Sequence, residues 1–222
     1  MPRIIDLSLT VDTSTMGPPS TNVRLGLERF HRGPGFWQVS SVHASVHTGS
    51  HIDSPLHVFA DGKTTAELPL ERVIGEAVVV DLTHVQANQA ISVEDLRKGG
   101  AEQVRSGDIV LLHTGWTDRM FGQFPRFFTE SPYFPAESAE WLVARGPKAI
   151  GFDFFEEYAA RLKDFTSEDF PMHRAILGKG VVIMEGLTNL GALPSRRVQF
   201  FAPFFKLGET EGAPARFFAL VD

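Results

Sequence analysis

Apolar residues along this chain recur in runs of strand length, cut by glycine, proline and polar residues, with few stretches of helical period. Residues 76–82 (Glu-Ala-Val-Val-Val-Asp-Leu) and 108–114 (Asp-Ile-Val-Leu-Leu-His-Thr) are near-continuous apolar segments, the first bounded by Gly75, and read as buried strands. Shorter runs at 4–9, 149–153, 181–184 and 215–221 predict further strands, with a turn at Gly186. Residues 37–46 alternate apolar and polar positions, as a strand exposed on one face does. Helical signals are sparse. Ser92 with Asp95 three residues on opens a short helix, and 135–145 begins with proline and closes at Gly146. Residues 11–35, with Gly17-Pro18-Pro19 and Gly33-Pro34-Gly35, predict an irregular lid or arm, and 121–135 a long aromatic loop. There is no internal repeat and no break in composition, so the chain is expected to form one domain over residues 1–222.

Composition narrows the classes. At 222 residues, 43% hydrophobic and 22% charged, the chain supports one substantial core. A net charge of −6, with no basic run longer than Arg196-Arg197, argues against a nucleic-acid surface. Cysteine is absent, which excludes disulfides, thiolate metal sites and a cysteine nucleophile, and fits a cytoplasmic protein. The N-terminal residues lack a signal-peptide layout, and no run approaches the ~18 apolar residues of a membrane span. A soluble cytoplasmic protein is expected. Serine-hydrolase and dinucleotide-binding glycine motifs are missing, and Gly178-Lys179-Gly180 lacks the rest of a phosphate loop.

One segment carries chemistry: His47-Thr48-Gly49-Ser50-His51-Ile52-Asp53-Ser54-Pro55-Leu56-His57. In extended chain His51 and Asp53 share a side, and His47 joins them if the backbone stays extended that far. Gly49 permits close approach of another chain or a ligand, and Pro55 fixes the turn that follows. Imidazole with carboxylate is the ligand chemistry of zinc, and it suits manganese or iron as well. His31, His43, His84 and His113 have no such neighbours and are expected to be structural. Glu185 ends the apolar run Val-Val-Ile-Met, where a carboxylate is costly unless paired or metal-bound, so it is either a ligand or a solvated strand-end acid. His173, twelve positions before it, is the other candidate.

The histidine segment resembles the H-x-G-T-H-x-D-x-P-x-H signature of the cyclase family, which includes bacterial kynurenine formamidases and isatin hydrolases. Ile5-Asp6-Leu7-Ser8, Gly107-Asp108-Ile109-Val110-Leu111, Thr114-Gly115-Trp116 and Gly212-Ala213-Pro214-Ala215-Arg216 are similar to other family segments. The resemblance implies an α/β fold, with a mixed, barrel-like β-core of the swivelling β/α/β type and few helices. It implies that His47, His51 and Asp53 hold one metal, and that Asp53 bridges to a second held by His173 and Glu185. Two zinc ions per subunit are the implied cofactor, with manganese the alternative. In the isatin branch one metal is bound and the Glu position is not kept, so Glu185 favours the two-metal branch.

The implied reaction is hydrolysis of an aryl formamide such as N-formylkynurenine by metal-activated hydroxide, with His57 as general acid/base. His57 could instead be a hydrogen-bonding neighbour of the ligands or a substitute ligand. A cyclic amide or lactone, as in the isatin branch, is the second substrate reading, and a catalytically silent metal binder the third. The family implies a homodimer or homotetramer with loops shared between subunits. Ser50 and Ser54 replace the usual Thr and Ala. A larger departure is Gly151-Phe152-Asp153-Phe154-Phe155-Glu156-Glu157, where formamidases read closer to G-I-D-T-P-S; this segment is expected beside the substrate.

Overall fold

The computed structural model describes residues 2–221. The strands are β1 (Arg3–Asp6), β2 (Gly26–His31), β3 (Gln38–His43), β4 (His51–Asp53), β5 (Ile74–Asp81), β6 (Ile109–His113), β7 (Ala149–Phe152), β8 (Val182–Glu185), β9 (Arg197–Phe201), β10 (Gly212–Pro214) and β11 (Phe218–Val221). The helices are α1 (Val93–Lys98), α2 (Trp116–Met120), α3 (Arg126–Thr129), α4 (Ala136–Val143) and α5 (Pro171–Leu177). Nine strands form one mixed sheet in the order β1-β11-β9-β5-β6-β7-β8-β4-β10. The centre, β5-β6-β7-β8, is parallel, because each connection there carries helix across one face; the flanking pairs are antiparallel. The fold is the expected α/β type with a mixed β-core and few helices.

The period-two geometry of the strands divides the core. Val78, Val80, Val110, Leu112, Ile150 and Phe152 face the helices. Their neighbours Ala77, Val79, Ile109, Leu111 and Ala149 face a second apolar cluster on the other side, with Met184, Phe200 and Phe217. Burial on both faces is why these strands read as continuous apolar runs. The sheet curls. Beyond edge strand β1, Leu7 accepts a hydrogen bond from Thr188 N (3.0 Å), and Leu9 N donates to Ser50 Oγ (2.8 Å). The two ends of the sheet therefore meet beside β4 and β8.

Several sequence expectations are corrected. Residues 26–31 belong to a regular strand, paired along its whole length with β3 in a two-stranded ribbon; pairing, rather than burial, makes it a strand, so no apolar pattern marks it. Helices α2, α3 and α5 and strands β9 and β10 carry no strong sequence signal, being short and stabilised by tertiary contacts. The predicted cap of α1 is present: Asp95 N donates to Ser92 Oγ at 3.1 Å, and Ser92 N to Asp95 Oδ2 at 2.9 Å. Among the described residues no helix is long and apolar enough to cross a membrane.

One buried latch ties the parallel strands to the loops above them. Asp153, after β7, accepts from Thr114 N (2.8 Å), Thr114 Oγ1 (2.6 Å) and Gly115 N (2.7 Å) at the end of β6. Asp153→Ala strands these donors in the interior and should cost about 3 kcal/mol of stability. A denaturant midpoint that falls with an unchanged m-value checks this; an unmoved midpoint contradicts it.

Candidate metal centre and active site

Strand β4 lies between β8 and β10, and its register sets the site. His51 is paired directly with Glu185, and Asp53 with Gly212 on the other side. His51 and Asp53, two residues apart, project to one face as expected. His47 reaches that face by a different route from the one anticipated. Residues 46–50 turn rather than extend, and Gly49 sits at φ +70°, in the left-handed region. The turn is packed against the end of β8: a Cβ on Gly186 would lie 2.5 Å from the Gly49 carbonyl oxygen. Ser50 Oγ bolts the two together by donating to Gly186 O at 2.7 Å. Gly212 serves the same closeness, since a Cβ there would lie 2.8 Å from His47 Cε1.

The imidazoles converge on Asp53. His47 Nδ1 lies 2.9 Å and His51 Nε2 3.5 Å from Asp53 Oδ1, and His173 Nε2 lies 3.9 Å from Oδ2. Glu185 completes the ring, 3.3 Å from His173 Nε2 and 3.5 Å from His51 Nε2. The outward nitrogen of each histidine is tied down: His47 Nε2 to Glu211 (3.1 Å), His51 Nδ1 to Gly49 O (2.8 Å), His173 Nδ1 to Glu157 (3.0 Å). On the inward side His173 Nε2 meets Glu185 Oε1 at 3.3 Å, but the other groups lack conventional partners. His51 Nε2 and both oxygens of Asp53 are buried with no aligned hydrogen bond among the described residues, the 2.9 Å approach of His47 included. Inward lone pairs with outward hydrogen bonds are the arrangement of metal-binding histidines. The residues present fit a divalent cation: His47, His51 and Asp53 offer one set of ligand atoms, and His173 with Glu185 and Glu156 another.

The electrostatics agree. Burial opposes charge on His47, but Asp53 and Glu211 beside it lift its imidazole to about 10. Burial likewise opposes charge on His173, yet Glu157 and Glu185 hold it well above the usual imidazole range. Asp53 is pushed up by burial and pulled further down by His47 and His51, so it stays ionised. The cluster therefore attracts cations, and protons compete with metal for the same lone pairs. His57 behaves differently. Burial and the neighbouring His47 and His173 outweigh Asp53 and lower it to about 4. It sits on the one-turn helix after Pro55, its ring centroid 4.4 Å from that of His47 and 5.4 Å from that of His173.

A cavity of about 200 Å³ opens onto these groups. Phe128, Phe154, Phe155, Phe165 and Phe170 line it, with residues 15–18 of the N-terminal arm across it. The departing segment 151–157 thus does border the cavity, while Phe134, Phe152, Phe200 and Phe217 are core. His31, His43, His84 and His113 lie outside the lining, and His84 bonds Asp95. Glu156, Glu157 and Glu211 were not singled out from sequence. For the first two a signal existed: like Glu185, they follow an apolar strand and enter a buried place. Glu211 had none.

The family model described as putative cyclase matches residues 5–156. The chain belongs to the cyclase family. Cyclase-family relatives include the kynurenine formamidase of Salinibacter ruber, 31% identical over 96% of this chain and 95% of that protein. The kynurenine formamidase of Erythrobacter litoralis is 33% identical, over 78% of this chain and 72% of its own length. Among solved structures, isatin hydrolase A from Ralstonia solanacearum superposes with a TM-score of 0.82 at 25% identity, covering 100% of this chain and 92% of that one. A predicted metal-dependent hydrolase from Bacillus stearothermophilus gives 0.76 at 26% identity, covering 99% and 98%.

Glu211→Gln and Glu157→Gln each remove the charge that orients a histidine, and should weaken metal binding by about 10–100-fold without unfolding the protein. Competition with a chromophoric chelator reads this directly; unchanged affinity in both variants would refute the orienting role.

Proposed function

We propose that this cyclase-family protein is a metal-dependent hydrolase of an aryl formamide, with N-formylkynurenine the first substrate. The observation that carries the reading is the set of three imidazoles tied outward by Glu211, Gly49 O and Glu157 and facing Asp53 inward. In this reading His47, His51 and Asp53 would hold one divalent ion, zinc or manganese, and His173 and Glu185, with Asp53, would hold a second. Divalent cations there would supply water activation near neutral pH and polarisation of a carbonyl.

The chain's own residues do the rest. His57, held neutral by burial, accepts the proton of the attacking water. Once protonated, the imidazolium passes the proton to the departing nitrogen. The phenylalanine walls stack on a flat aryl ring and keep bulk water out. A lactam or lactone fits the same walls and is the second reading, supported by the structural likeness to isatin hydrolase A. A homodimer or homotetramer belongs to the same proposal, supported by the apolar tip of the β2–β3 ribbon, where Phe36 is 87% exposed beside Trp37.

The test is turnover of N-formylkynurenine and of isatin by protein loaded with zinc or manganese, beside a chelated control. Release of kynurenine that requires metal is expected; inertness of a metal-loaded sample toward both substrates refutes the enzyme and leaves a silent metal binder. His57→Ala should lower kcat by about 10²–10⁴-fold with metal content intact. Loss of metal instead would make His57 a ligand.

A further inference from the structure

We propose that Glu156 is an additional carboxylate ligand of the second cation, alongside His173, Glu185 and the shared Asp53. This inference rests on the two-cation reading above and goes beyond it. It makes the two ion sites chemically unequal.

Glu156 is only 1% exposed, and neither of its carboxylate oxygens has a hydrogen-bond partner among the described residues. Its Oε1 lies 3.9 Å from His173 Nε2, and one ligand atom each from Glu156, His173 and Glu185 fall within 4.8 Å of one another. That spread is close to the ~4 Å across a single ion with bonds of about 2.1 Å. The side chain is delivered there by a fixed loop. Its own carbonyl accepts from Phe134 N at 2.9 Å, and Phe155 N just before it donates to Ser131 Oγ at 2.9 Å. Upstream, Asp153 latches the same loop to β6.

A buried carboxylate facing a second carboxylate needs either a shared proton or a cation between them, and a cation site of this composition offers the latter. The buried Arg161 forms no ion pair with Glu156, although its Nε and Nη1 are without partners among the described residues. Its guanidinium donates to Pro132 O and Phe155 O and lies over the rings of Tyr133 and Tyr158. Charge balance points the same way. Against two divalent ions, the carboxylates Asp53, Glu185 and Glu157 leave one unit of positive charge, and Glu156 cancels it. The first site then offers two imidazoles and one carboxylate, a set suited to zinc. The second offers one imidazole among three carboxylates, which is harder and favours manganese relative to the first.

The test titrates metal-free, full-length protein with manganese and with zinc. Bound metal is counted by mass spectrometry, and each affinity is measured by chelator competition. Wild type is expected to bind two ions. Glu156→Gln should keep the first at unchanged affinity and weaken the second at least tenfold, more for manganese than for zinc. A crystal structure of the unaltered protein grown with manganese should show Glu156 within about 2.2 Å of the second anomalous peak, which decides the matter should the variant fail to fold. Two ions held at wild-type affinity by Glu156→Gln overturn the assignment. So does a raised KM with both affinities intact, which makes Glu156 a substrate contact. A single ion in wild type overturns the two-cation reading itself and is distinguished by the wild-type titration alone.

Discussion

The Asp53 carboxylate is fully buried in the middle of a three-strand edge, and the desolvation of that one charge is the constraint around which the site is built. An ionised carboxylate in such a place must be met by positive charge or by donors. No lysine or arginine is directed at it among the described residues; imidazoles are, and their second nitrogens are already committed outward. The features that fix those imidazoles fit a need to present lone pairs to a cation lying between them and Asp53. The left-handed Gly49, the bare Gly212 against His47, and the Glu211 and Glu157 side chains all act to this end.

The sheet explains why acids and histidines from distant segments meet. The parallel strands β7 and β8 end at the same level, so the loop after β7 brings Glu156 and Glu157, and the last residue of β8 is Glu185. Functional groups at the carboxyl ends of parallel strands are the general pattern of α/β sheets. Here the antiparallel β4 is added beside β8, which puts His51 directly opposite Glu185. Helix α5 then sets His173 over the group, its first turn started by Pro171. Curling of the sheet brings the N-terminal arm across the mouth, so one small cavity faces the aromatic walls and the cluster together.

Much of the candidate site was legible in the chain because its histidines and aspartate from one segment sit close in sequence. His47, His51, Asp53 and His57 need only a turn and a short strand to converge, and Glu185 was marked by its cost at the end of an apolar run. What was not legible lies in tertiary register. His47 arrives through a turn and not along the extended path that alternation would have required, because Gly49 takes a positive φ that the pattern does not encode. Glu211 is brought to His47 by the pairing of β10 with β4, a contact 164 residues apart that no local signal predicts. The buried parallel strands were plain as continuous apolar runs. The β2–β3 ribbon was half missed, since strands exposed on both faces carry no burial pattern.

The proposed function requires that cations, and not protons alone, complete the Asp53 cluster. Thermal unfolding of the metal-free protein with and without added zinc, for wild type and Asp53→Asn, puts this to the test. A site saturated at roughly 1,000 times its dissociation constant adds about 4 kcal/mol, or about 10 °C for a chain of this size. A rise of that order is expected in wild type, and little or none in Asp53→Asn. An unfolding temperature that zinc leaves unmoved in wild type, or raises equally in both proteins, would contradict it.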